Sequence, residues 1–177
     1  PAKEDRFNLQ RIEYATLELA RKCGLNVCTA RIEPIAGRDV LMLQRFDRRK
    51  IMGGYLRLGL VSGLTMLGSD DDPMDRGSWS YLLLADQLRR WTQMPDRDCL
   101  ELFRRVVFNA AVTNNDDHPR NHAVIRSGRG CSLSPASDPV PMPMISMDRR
   151  SLAPVAGSVR PPARRPPHLP PSRRRCG

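Results

Sequence analysis

Apolar residues recur every three or four positions through NLQRIEYATLELARKCG, where Leu9, Ile12, Ala15/Thr16 and Leu19 form one helical stripe. Arg21 and Lys22 suit a last turn and Gly24 the position after the cap, so the spacing predicts a helix closing near residue 23. The pattern then changes to alternation. NVCTARIEPI and RDVLMLQRF read as two strands around the turn AGRD. DRRKIMGG turns away from the second strand, and residues 59–77 form a mixed stretch around the acidic loop GSDDDPMDRGS. Two helices follow. SWSYLLLADQLRRW starts near a serine cap and puts Tyr81, Leu84 and Leu88 on one face, with Ala85 beside them. DRDCLELFRRVVFNAAV has Asp96 as its expected N-cap after Pro95, and Leu100, Phe103, Val107 and Ala110/Ala111 as its expected buried stripe. HAVIR, SGRG and CSLS predict a short hairpin that continues into PASDPVP. The elements make an α+β chain without internal repeats, and the periodicity stops near residue 152.

Composition changes this picture mainly at one end. The chain has 177 residues, enough for one domain or a piece of a larger protein. Of its formal net charge of +10, residues 151–177 supply six arginines and no acid, alongside seven prolines. The rest is therefore only mildly basic, and the whole-chain charge says little about its partners. Such a Pro/Arg composition cannot bury a core, so the sequence divides into a folded part, residues 1–156, and an expected disordered tail, residues 157–177. The tail reads as the product of a shifted reading frame or, alternatively, as a basic segment for nucleic acid. The five cysteines form no CxxC pair, and no apolar run reaches the roughly 20 residues needed to cross a bilayer. A cytoplasmic protein with no membrane partner is expected.

The chemistry concentrates in TNNDDHPRNHAVI, residues 113–125, between a helix and a strand. Asn and Asp there could simply satisfy the backbone of a solvated turn, His118 could be a hydrogen-bonded loop residue, and Asp138 a turn former before Pro139. Three spacings point further. Phosphoryl transfer needs a carboxylate near the attacking hydroxyl and oxygen ligands for Mg²⁺ around the phosphates. In protein kinases the catalytic-loop Asp precedes a metal-binding Asn by five residues, and a second metal-binding Asp follows across a hairpin. Asp116 and Asn121 have the first separation, and Asp138 lies 17 residues beyond Asn121, after strand, turn and strand. Asp117 is expected to point away from this cleft.

From about Phe7 to Ala156 the chain resembles the C-terminal part of HipA-type toxins, serine/threonine kinases of bacterial toxin–antitoxin pairs. The matching pieces are RIEYATLELARKCGLNV, LMLQRFDR, YLRLGLVSGLTMLG, SYLLLADQLRR, LFRRVVFNAAVTNNDDHPRNHAVI, LSPASDPVP and SMDRRSLAPVAG. The resemblance implies a kinase-like fragment: a hinge, a helical C-terminal lobe and a catalytic hairpin. It implies that Asp116 is the catalytic-loop aspartate, that His118 braces the loop, and that Asn121 and Asp138 hold Mg²⁺. Gln44 and Phe46, in LQRF, stand where the family offers backbone groups to the adenine of ATP. Glu13 is a candidate partner for a phosphate-binding lysine, or a plain solvent-facing helix charge. Ser137 replaces the tyrosine that usually precedes the second metal aspartate. The implied partners are a HipB-like helix-turn-helix antitoxin and a protein substrate, with DNA reached only through the antitoxin.

The family's phosphate loop and strand lysine would precede the first helix, where this chain has only PAKEDRFN. Weak or absent phosphoryl transfer by this truncated form is therefore expected. Two other readings stay open, a non-catalytic remnant that binds an antitoxin and a metal-dependent phosphohydrolase using DDH.

Overall fold

The computed structural model of the chain describes residues 7–69, 79–114, 116–128 and 130–141. The Arg/Pro-rich tail and most of the acidic loop lie outside these residues. The first helix, α1 (Leu9–Lys22), is capped by Asn8, whose side-chain oxygen accepts from the Arg11 N–H at 3.1 Å. It closes as the sequence predicts. Gly24 is left-handed (φ 81°), with its N–H on the Arg21 carbonyl and the Leu25 N–H on the Ala20 carbonyl. Its inward face differs from expectation. Thr16, Leu17 and Ala20 are buried, whereas Leu9 and Leu19 are exposed.

Strands β1 (Ala30–Ile35) and β2 (Arg38–Leu43) pair antiparallel, with Ile35 opposite Arg38. Ala36 and Gly37 both have positive φ, which gives the two-residue turn whose twist suits a hairpin. Asp39 ties this hairpin to the start of α1, accepting from Asn8 Nδ2 and Arg11 Nε, each at 2.6 Å. DRRKIMGG does not merely turn away. It forms β3 (Arg48–Ile51) of a second hairpin with β4 (Gly54–Arg57), reversed at the left-handed Gly53. Charge-rich Arg-Arg-Lys offers no alternation, so only the Gly-Gly turn advertised this pair.

The mixed stretch resolves into β5 (Leu60–Ser62) and a short helix, α2 (Gly63–Leu67), capped by Ser62. Strand β5 pairs with β6 (Ala123–Ser127), which pairs with β7 (Gly130–Leu133), so the expected hairpin becomes a three-stranded antiparallel sheet. Helices α3 (Tyr81–Trp91) and α4 (Pro95–Ala111) pack against it. Met66, Leu84, Leu88, Leu102, Val124, Cys131 and Leu133 form the main core. Ala20, Leu25 and Phe108 join α1 to α4 in a smaller one.

Helix α4 departs most from its sequence pattern. Met94, not Asp96, occupies the N-cap position, makes no side-chain cap bond, and has Pro95 at the first turn. The expected stripe of Leu100, Phe103 and Val107 is exposed, while Asp98, Leu102, Arg105, Phe108 and Asn109 are buried. Three polar residues can occupy the inner face because each finds partners there. Asp98 accepts from the Leu133 N–H at 3.2 Å. Arg105 pairs with Glu101 at 3.0 Å and donates to the carbonyls of Asn26 (3.2 Å) and Ser134 (2.7 Å). Buried polar groups satisfied in this way are tolerated. A hydrophobic-periodicity argument cannot see them.

Candidate active site

Helix α4 delivers the chain to the acidic loop through a left-handed Thr113 (φ 56°), after which the Asn114 N–H returns to the Asn109 carbonyl at 2.9 Å. Asn114 is buried. Its side chain donates to Asn109 Oδ1 (3.3 Å) and accepts the Asp116 N–H (3.2 Å). The next turn is a single 3₁₀ turn, Pro119–Asn121, where Asn121 Nδ2 donates to the Asp116 carbonyl at 3.2 Å. Side chains therefore hold both backbone polar groups of Asp116, and its own side chain is left exposed. A carbonyl can only accept, so this contact also fixes the Asn121 amide. Its nitrogen faces the loop and its oxygen is left for another partner.

His118 is buried. It sits edge-on to Trp79 with ring centroids 3.9 Å apart, and its Nδ1 accepts the Arg120 N–H at 3.4 Å as the N-cap of the 3₁₀ turn. The loop is also pinned from below. The Gly63 N–H donates to the His122 carbonyl at 2.6 Å, and a Cβ at Gly63 would lie 2.4 Å from the Pro119 carbonyl oxygen. Only glycine permits α2 to start this close to the loop.

Asp138 arrives from the other side of the hairpin. After β7 the chain runs beside the segment that follows α1, with Cys28 N–H on the Ala136 carbonyl and Ala136 N–H on the Asn26 carbonyl, both at 2.9 Å. Arg105 fastens the same two segments. Asn121 and Asp138 consequently line one pocket, floored by Ala20, Leu25, Val27 and Phe108. Burial raises the Asp138 carboxyl above its ordinary range, and the charges of Asp116 and Asp117 raise it further, against a smaller pull from Arg120. Glu13 of α1 is raised first by burial and then by Asp138, so it belongs to the same electrostatic neighbourhood.

One expectation meets a different geometry. Asp117 does not point away, because it lines the same pocket and its side chain is only 3% exposed. It accepts a short hydrogen bond from Tyr81 Oη and pairs with His122 Nε2 at 3.1 Å. Burial raises its carboxyl, but hydrogen bonding and charge from His122, with further bonds from Tyr81 and Asn109, bring it below the ordinary value. Tyr81 moves the other way: burial, then Asp117, pushes its hydroxyl far above the usual range, so it remains a donor. Gln44 and Phe46 follow β2 and do not line the pocket, and the Gln44 N–H is taken by the Thr29 carbonyl at 2.8 Å.

Spacing missed Tyr81, Asn109, Asn114, Asp117 and His122, which support the loop. The available signal was weak: a polar series, Asp98, Arg105 and Asn109, at helical intervals on α4. Among the described residues no three of His, Cys, Asp or Glu are placed to hold a metal by themselves. None of their helices is long and apolar enough to cross a membrane.

A helical lobe and a small sheet that place such a loop and hairpin around one pocket define a kinase-like α+β domain. The family model described as the HipA-like C-terminal domain matches residues 2–168, and the chain belongs to that family. It is 26% identical over 129 residues to "Putative kinase Y4mE" of Sinorhizobium fredii, covering 71% of this chain and 31% of that protein. Its fold is similar to a chain in a solved complex of the Shewanella oneidensis MR-1 toxin–antitoxin system HipA and HipB with operator DNA. There the TM-score is 0.67 and the identity 24%, over 77% of this chain and 35% of the other. The chain thus spans about a third of the length of these relatives.

Proposed function

We propose that this chain carries the catalytic and metal-binding part of a HipA-like serine/threonine protein kinase of a toxin–antitoxin pair. The observation that carries the reading is the clamp on Asp116. Its backbone is fixed on both sides while its side chain is exposed. That side chain lies outside the lining of the pocket that Asn121 and Asp138 share, but near enough for its charge to raise the Asp138 carboxyl.

The donor set fits Mg²⁺. An amide oxygen and a carboxylate are hard oxygen ligands, and Mg²⁺ commonly takes few from protein and completes its shell with water and phosphate oxygens. The raised carboxyl of Asp138, crowded by Asp116 and Asp117, is a site where a cation relieves repulsion. When bound, Mg²⁺ neutralises charge on the β- and γ-phosphate oxygens of ATP. The chain's own residues do the rest. Asp116 accepts a hydrogen bond from the substrate serine hydroxyl and aims its oxygen at the γ-phosphorus. As the new O–P bond forms and the bond to the β–γ bridging oxygen breaks, the hydroxyl proton passes to the Asp116 carboxylate. The Asn114 and Asn121 contacts fix the backbone that carries that carboxylate.

Neither Lys22 nor Lys50 lines the pocket, so no lysine among the described residues stands there to meet the phosphates, and slow transfer is expected from this chain alone. The test is transfer of labelled γ-phosphate from MgATP to a serine-bearing protein. Slow transfer that falls to background in Asp116→Asn supports the reading, and equal transfer by both proteins contradicts it. Absence of transfer by the unaltered chain, together with capture of a HipB-like antitoxin, favours a non-catalytic binding remnant. A phosphohydrolase needs more ligands than this Asn/Asp pair supplies without a nucleotide.

A further inference from the structure

We propose that Asp117 is a positioning residue, a buried hub whose bonds to Tyr81 and His122 set the orientation of Asp116. The inference rests on the reading of Asp116 as the group that meets the substrate hydroxyl.

Two adjacent aspartates in this loop have opposite surroundings. Asp116 is exposed, while the Asp117 side chain is buried and joins two elements, Tyr81 from α3 and His122 at the entry to β6. A carboxylate in such a place is costly unless each oxygen is paired. An apolar side chain would fill the space without that cost, so filling space does not explain the acid. A carboxylate adds direction, because it accepts from both partners along its own lone pairs.

Donor and acceptor roles follow without ambiguity. Asn109 Oδ1 accepts from Asn114 Nδ2. His122 turns an Nε2–H toward Asp117, because the carboxylate can only accept. The Tyr81 and His122 rings meet edge to face with centroids 5.9 Å apart, which keeps both donors on one side of the hub. Asp117 follows Asp116 in the chain and its partner His122 follows Asn121, whose side chain holds the Asp116 carbonyl, while Asn114 holds the Asp116 N–H from the other side. Loss of the hub would release Asp116 and, through Asn121, the amide oxygen turned toward the pocket.

The test is amide hydrogen exchange by NMR on the full chain, with Mn²⁺ alone as a second probe. In Asp117→Leu, exchange at Asp116 and Asn121 should rise at least tenfold while amides in α1 and the centre of α3 change less than twofold. Mn²⁺ affinity should fall at least fivefold. His122→Gln keeps a donor and should stay within threefold of the unaltered chain in both readings, whereas His122→Leu should not. If Asp117→Leu does not fold, Tyr81→Phe removes a single hydroxyl and should still give a local rise of about threefold. Unchanged exchange at Asp116, or an equal rise in every element, overturns the proposal. Faster local exchange with unchanged Mn²⁺ affinity also overturns it, leaving Asp117 a purely structural role. Mn²⁺ binding absent even from the unaltered chain contradicts the metal reading of Asn121 and Asp138, and the exchange data then decide the hub separately.

Discussion

Asp116 and Asp117 share a peptide bond, yet substitution should have opposite consequences at the two positions. Removing Asp117 leaves the Tyr81 hydroxyl and the His122 ring nitrogen without their buried acceptor. Asp117→Ala should therefore cost about 2–4 kcal/mol by urea denaturation at pH 7, given the penalty for orphaned buried partners. Asp116→Ala, on an exposed side chain, should stay within about 0.5 kcal/mol. The Asp117 carboxyl is held below its unfolded value, so its contribution to stability is complete above the ordinary carboxylate pKa of about 4 and is lost as pH falls through the lower folded value. The stability gap between the unaltered chain and Asp117→Asn should accordingly shrink as pH drops below about 4. A gap that widens on acidification contradicts this assignment. Asp138 has the reverse sign. Its raised carboxyl opposes folding once ionised, so in metal-free buffer at pH 7 Asp138→Asn should melt slightly above the unaltered chain.

Helix α4 provides the test at the scale of an element. The apolar series Leu100, Phe103 and Val107 has proper helical spacing but faces out, while Leu102 is buried beside Asp98 and Arg105. Leu102→Ala should cost about 2–4 kcal/mol, and Phe103→Ser no more than about 0.5 kcal/mol, in the same denaturation series. The reverse order would restore the stripe that the sequence suggests. The helix end offers a second check. Thr113 adopts a left-handed conformation that costs a β-branched residue about 1–2 kcal/mol, so Thr113→Gly should raise stability by up to about 1 kcal/mol. These cases also separate what was legible from what was not. The α1 terminus, the Ala36–Gly37 turn and the β6–β7 hairpin could be read because their signals are local: glycine, turn chemistry and alternation. The inner face of α4 could not, because its polar residues are satisfied by the backbone of segments distant in sequence, at Asn26, Leu133 and Ser134. Strand β5 was hidden for the same reason, since its partner is β6, more than sixty residues away.

Across the whole molecule, the spacing of Asp116, Asn121 and Asp138 was readable, whereas which of two adjacent acids turns inward was not. That choice depends on where α3 and α4 place Tyr81 and Asn109. The family match covers nearly the whole chain, yet the chain spans only about a third of its relatives' length. The reading that can be tested here is therefore the pocket and its metal pair. The most direct measurement is a Mn²⁺ titration followed by water-proton relaxation, with and without ATP, on the full chain and on Asp138→Ala. The expected result is saturable Mn²⁺ binding that tightens with ATP and is weakened at least tenfold by the substitution. Binding of equal strength in both proteins, or no effect of ATP on either, would contradict a phosphate-directed metal site built from Asn121 and Asp138.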